Sequence, residues 1–142
     1  MDLCLTFLFI TGLTTFLNFV AQLIAPSDRL VFAPGEDGRI VWTYSGDINQ
    51  IFFQGLTFTG ASTSLVVVSR GKVVDRVSNG LDFQFVLPLT LILKNVNPTY
   101  NGTYTMEVRL ASGSLPPSPV HVFIAGLCVD LSLLGWIPVL LC

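Results

Sequence analysis

The chain has 142 residues, 51% of them hydrophobic and only 11% charged, with a formal net charge of −2 at pH 7. That length allows one domain with short flanking segments, and the charge content lies far below the roughly 25% of an ordinary soluble domain. Between residues 26 and 125 seven cations oppose seven anions without clustering, which argues against nucleic acid as a partner.

Most of the excess apolarity sits at the two ends. Leu3 to Val20 is almost wholly apolar, with Asn18 its one strongly polar side chain. Its shortness and the β-rich segment behind it favour a secretory signal peptide over residues 1–21, cleaved after Ala21. An uncleaved membrane anchor is the alternative, since Asp2 replaces the usual basic start and Phe19 is bulky for a cleavage site.

The body, residues 26–125, reads as short strands between turn signals. Pro26-Ser27-Asp28 and Pro34-Gly35-Glu36-Asp37-Gly38 bracket a first strand, Leu30 to Ala33. A second runs Arg39 to Tyr44, with Ile40, Trp42 and Tyr44 on one face. After Ser45-Gly46-Asp47 a third strand spans Ile48 to Gln54, and Gly55 is expected to end it. Leu65 to Ser69 and Lys72 to Arg76 form a hairpin at Arg70-Gly71. Beyond the Asn79-Gly80 turn, Leu81, Phe83 and Phe85 alternate with polar residues. Pro88 separates them from Leu89 to Leu93. After Gly102 the alternation is clearest: Tyr104, Met106, Val108 and Leu110 face in, while Thr103, Thr105, Glu107 and Arg109 face out. A proline-rich loop, Ala111 to Pro119, leads to Val120 to Ala125, with His121 and Phe123 opposite Val122 and Ile124. No stretch has sustained helical periodicity, so the fold class is all-β, a sandwich or barrel.

The apolar tail, residues 126–142, is slightly short of a membrane span and carries Asp130. It reads as a truncated membrane helix, an incomplete product or the tail of a lipid-anchor signal. Cys4, Cys128 and Cys142 all lie outside the body. The domain therefore forgoes the about 2–4 kcal/mol that an internal disulfide contributes. The same gap excludes a cysteine zinc site and a thiol nucleophile within it.

Several residues together resemble the immunoglobulin V-type domain. Leu91-Ile92-Leu93-Lys94-Asn95-Val96-Asn97-Pro98 is similar to its strand E and E–F corner. Gly102 and Tyr104 fit the glycine and tyrosine of the family motif D-x-G-x-Y-x-C, with Tyr100 in place of the aspartate and Met106 in place of the cysteine. Gly35 and Trp42 fit the entry to strand B, where Trp42 stands at the first cysteine. Phe53 or Phe52 falls at the buried strand-C tryptophan, and Arg76-Val77-Ser78 resembles the opening of strand D. The resemblance covers about 100 residues. It implies a Greek-key sandwich of two antiparallel sheets without an intradomain disulfide. Trp42 and Met106 would fill the core in its place and touch, and Tyr104 would make the tyrosine corner. The usual Arg–Asp bridge is in doubt for Arg76. Lacking the cysteine pair, the chain is further similar to the allorecognition receptors of colonial hydroids.

Asn101-Gly102-Thr103 is an N-glycosylation sequon, with pure turn geometry as the alternative. His121 is the one histidine, and the carboxylates are scattered singly. No catalytic, cofactor or metal site is expected, and the chain reads as a non-enzyme. In V-type domains strands C, F and G share the usual recognition sheet. On that face Phe52, Glu107, Arg109, His121 and Phe123 are the expected patch for a protein ligand, a second copy included. The expected role is a cell-surface or secreted recognition and adhesion domain; the alternative is a soluble decoy or truncated product of a larger receptor. Membrane attachment would come through the tail.

Overall fold

The computed structural model describes residues 20–59, 63–126, 129–130 and 140–141. The expected signal peptide and most of the apolar tail lie outside the described residues. Strands form where β-branched and aromatic residues run together, and Gly, Asn and Pro turns end them. In chain order these are β1 (Leu23–Ile24), β2 (Arg29–Phe32), β3 (Gly38–Val41) and β4 (Thr43–Tyr44). After a 3-10 turn at Ile48–Gln50 come β5 (Ile51–Phe58), β6 (Thr63–Ser69) and β7 (Lys72–Arg76). Then follow β8 (Phe83–Val86), β9 (Thr90–Leu93), a second 3-10 turn at Pro98–Tyr100, and β10 (Gly102–Leu110). β11 (Gly113–Ser114) and β12 (Ser118–Ile124) close the domain, and Val129–Asp130 pairs with Leu140–Leu141 beyond it.

A large sheet has the order β2-β12-β10-β5-β6-β7, with β11 joined to β10. A small sheet has the order β3-β9-β8. The chain crosses between them after β2, β4, β7 and β9, which makes the Greek key of a V-type immunoglobulin sandwich. The hairpin between β6 and β7 turns at Arg70-Gly71 as expected, both residues at positive φ.

Three expectations are corrected. The sheets are not wholly antiparallel, because β2 runs parallel to β12, with Arg29 opposite His121. The bend at Pro26-Ser27-Asp28 releases the chain from the β1–β4 pairing and carries it across to the edge of the large sheet. Strand β5 does not end at Gly55 but runs through it, since Gly55 is paired on both sides, with Glu107 and Val67. Ladder bonds on two flanks outweigh the weak strand propensity of glycine. Ile48–Gln50, read as strand, is instead a turn capped by the Asp47 carboxylate, which accepts from Asn49 N at 2.9 Å.

Twenty buried apolar side chains, from Ile40 to Ile124, form one core. Its inward row on β5 is Gln54, Leu56 and Phe58. Leu56, not Phe53 or Phe52, stands opposite Met106 and fills the place read as the strand-C tryptophan. Continuing the strand past Gly55 sets this parity. Trp42 and Met106 are both buried in that core. The indole N–H of Trp42 donates to Ser118 O at 3.1 Å, and Ser118 is the ladder partner of Met106. Trp42 thus ties the small sheet to the large one by a directional bond within an apolar contact.

The E–F corner is tied twice. Tyr104 donates its hydroxyl to Tyr100 O at 3.0 Å, and its ring stacks on Phe58 with centroids 4.6 Å apart. Burial, with Tyr100 adding, pushes the Tyr104 hydroxyl well above the usual phenol range, so it stays a donor. Tyr100, at the motif's aspartate position, accepts from Asp82 N at 2.8 Å and donates to Lys94 O at 3.0 Å. A neutral phenol therefore does the bracing left open by the missing Arg–Asp bridge. Arg76 instead donates to Phe83 O and lies over the Phe83 ring, 4.7 Å from its centroid. Nearby, Asp37 accepts from Lys94 Nζ at 2.6 Å and from Asn95 N at 3.0 Å, which holds its carboxyl below the usual value of 3.8.

Two outcomes follow. Trp42→Phe keeps most of the volume but leaves Ser118 O without its donor, and lowers unfolding stability by about 1–3 kcal/mol; Trp42→Ala costs about 3–5 kcal/mol. Urea titration with an unchanged slope checks both. The Asp37 contribution is present above pH 3.8 and is lost as pH falls through its lower folded value. Wild type should therefore lose more stability between neutral pH and about pH 2 than Asp37→Asn does; equal acid limbs would exclude this role.

Candidate recognition face

With Tyr104, Met106 and Val108 turned to the core, Thr103, Thr105, Glu107 and Arg109 point outward from β10. The ladder carries that face across the large sheet. Thr103 is level with His121 and Arg29, and Thr105 with Pro119 and Thr57. Glu107 is level with Gly55, Val67 and Asp75, and Arg109 with Phe53 and Ser69. The middle of the face is small and uncharged, and aromatic rings stand at its two ends.

At one end the Arg109 guanidinium lies over Phe53, 5.1 Å from the ring centroid. Glu107 Oε2 is 4.0 Å from the same guanidinium, and both side chains stay largely exposed. Gly55 lies buried beneath the Phe53 ring beside them. A Cβ there would meet the Phe53 ring at 3.2 Å and Glu107 Cβ at 4.0 Å.

At the other end Phe123 is 42% exposed and carries the Arg29 guanidinium 4.2 Å above its centroid. His121 Nδ1 lies 2.8 Å from Thr103 Oγ1. The sequon residue Asn101 is exposed at this end, and its Oδ1 accepts from Ile124 N at 2.6 Å.

The expected patch therefore divides. Glu107 and Arg109 stay together, and His121 and Phe123 stay together, but Thr103 and Glu107 are four positions apart on β10, roughly 14 Å at about 3.4 Å per residue. Phe52 belongs to neither end. A register shift opposite Arg109 and Leu110 makes Phe52 the extra residue of a bulge. Its ring is 48% exposed, but it lies by the β6–β7 turn, with the Arg70 guanidinium 5.2 Å from its centroid. Phe53 stands on the outer face instead. The resemblance sets Phe53 or Phe52 at the buried strand-C tryptophan; counting inward positions back from Leu56 and Phe58 turns Phe53 out.

Among the described residues no group of three or more His, Cys, Asp or Glu is placed to hold a metal ion. No described helix is long and apolar enough to cross a membrane.

No family model matches the sequence, and no curated protein matches it. Solved structures do resemble the fold. The first immunoglobulin-like domain of human CD48 antigen is similar with a TM-score of 0.57 at 14% identity, over 68% of this chain and 80% of that one. A marsupial T cell receptor is similar with a TM-score of 0.52 at 8% identity, over 75% of this chain and 52% of that one, so this chain spans about half its length. At these identities the likeness shows the architecture: the chain is an immunoglobulin-like β-sandwich.

Proposed function

We propose that this chain is a cell-surface or secreted recognition and adhesion domain that binds another protein through the outer face of the large sheet, with a second copy of itself as partner. The observation that carries the reading is the cluster of Phe53, Gly55, Glu107 and Arg109. It combines an aromatic ring packed over a buried glycine with one charge of each sign. A twofold axis at this spot sets Glu107 of each copy against Arg109 of the other. The balanced charge of the body adds no net repulsion.

Similarity to a receptor and to a surface-antigen domain supports a recognition role. The cysteine-free core supports kinship with allorecognition-type receptors. The signal peptide over residues 1–21 and the tail over residues 126–142 would place the domain outside the cell, with the tail as its membrane attachment. Asn101 is proposed to carry a glycan, since its Nδ2 is left over once Oδ1 bonds Ile124. A glycan there sits at the His121 end and leaves the Arg109 end clear.

Sedimentation velocity over a concentration series tests the pairing. The wild-type chain should show a reversible dimer. Arg109→Glu sets like charges across the axis and should weaken it about tenfold, equivalent to about 1.4 kcal/mol. The double exchange Glu107→Arg with Arg109→Glu should restore most of it. A strict monomer at high concentration would rule out self-recognition and leave a different protein partner.

A further inference from the structure

A groove of about 300 Å³ opens between the two sheets at the end of the sandwich that carries the β6–β7 turn. Its apolar walls are Ile48, Phe52, Val68, Leu87 and Pro88. Ile48, Phe52 and Leu87 are each nearly half exposed, so three large apolar side chains crowd one opening. Gln54 lines the same groove from the inward row of β5 and is only 5% exposed. Its Oε1 is buried and has no hydrogen-bond partner among the described residues. Unpaired amide oxygens in apolar surroundings are rare in folded proteins, because burial removes water without replacing its hydrogen bond. Leucine at this position would serve stability better.

The rim adds a charge. Arg70, held at φ +49° in the turn, projects its guanidinium over the Phe52 ring. It makes no ion pair among the described residues, and Lys72 next to the turn makes none either. The one carboxylate nearby in sequence to Ile48, Asp47, is engaged by Asn49 N and Nδ2. A second, wider cleft of about 530 Å³ shares Ile48, Ile51, Phe52 and Gly71, and adds Asn49, Gln50 and Ser112.

We propose that this groove receives one aromatic side chain of a protein partner, an indole or phenol flanked by an acidic residue. The ring fills the apolar walls. Its N–H or O–H supplies the donor that the Gln54 carboxamide lacks, and the neighbouring carboxylate meets Arg70. The volume suits one side chain and lies at the lower limit for small-molecule sites. The wider cleft beside it, where Asn49, Gln50 and Ser112 stand among apolar walls, suits the main chain of the inserted segment. Buried aromatic anchors of this kind dominate interface energetics. This site lies off the outer face and does not rest on the self-association reading.

Saturation-transfer NMR on the purified full chain tests it with three probes: indole-3-acetate, tryptamine and naphthalene-1-acetate. Indole-3-acetate should bind saturably. Tryptamine, which reverses the charge, and naphthalene-1-acetate, which lacks the donor, should each bind at least about threefold more weakly. Arg70→Asn, which tolerates positive φ, should erase the preference over tryptamine. Gln54→Leu should erase the preference over naphthalene-1-acetate while raising the melting temperature, which separates loss of the donor site from misfolding. Equal binding of the three probes, preferences unchanged in both variants, or no saturable binding up to the solubility limit of indole-3-acetate would overturn the proposal.

Discussion

Everything in this sandwich depends on one side chain crossing the gap between its sheets. Two facing sheets lie about 10 Å apart and are joined only by loops and by what fills the space. Trp42 spans that distance from the small sheet and ends in a hydrogen bond to Ser118 O on the large one. A disulfide at this place acts mainly by restricting the unfolded chain. A buried indole acts in the native state, through contact area and one directional bond. The two devices differ in what disturbs them. Reduction leaves an indole untouched, whereas any change in local packing is felt directly, because protein interiors are filled to crystal density.

The same tie positions the outer face. Strand β10 is gripped from inside by Tyr104, Met106 and Val108, all buried, and at its start by the Tyr104–Tyr100 bond. A strand fixed on one face has no freedom on the other, since side chains alternate by geometry. Thr103 to Arg109 therefore present a row in fixed register with Phe53, Gly55 and His121. Tyr100 extends the bracing to Asp82 and Lys94, so the turn before β8 and the end of β9 are joined to the same corner without any buried charge. A phenol there avoids the desolvation that an Arg–Asp pair incurs.

Much of the architecture was legible in the sequence because alternation and turn chemistry are local. The β6–β7 hairpin, the inward row of β10 and the opposition of His121 to Val122 all follow from neighbours in the chain, whereas the tyrosine corner was implied by the family resemblance. What was not legible depends on partners. Gly55 reads as a strand end until both flanks are known to be occupied. The bulge at Phe52 exists only relative to β10, and it takes Phe52 off the outer face, where Phe53 stands instead. The parallel course of β2 depends on β12, which lies far away in sequence. The division of the expected patch has the same origin: residue parity gives the face of a strand, and only register gives the height along it.

The Phe53–Arg109 cluster and the Gln54 groove share a cause in strand β5. Adjacent residues, Phe53 and Gln54, point to opposite sides of the large sheet. One meets Arg109 on the outer face, and the other enters the space between the sheets just where the small sheet stops and Leu87-Pro88 turns back. Neither position obeys the rule that would make the fold most stable. An aromatic ring outside and a carboxamide inside invert the usual assignment of apolar and polar groups. Both inversions come beside the bulge that β5 makes opposite Arg109 and Leu110. Bulges re-aim side chains and gather near functional sites. On the proposed reading, a single irregularity in a central strand separates two surfaces suited to different occupants: a flat, self-complementary one for a second copy, and a narrow one for an inserted ring. The two surfaces adjoin at Phe53, which also lines the groove, and their affinities add in effect only when both ligands stand on one partner surface.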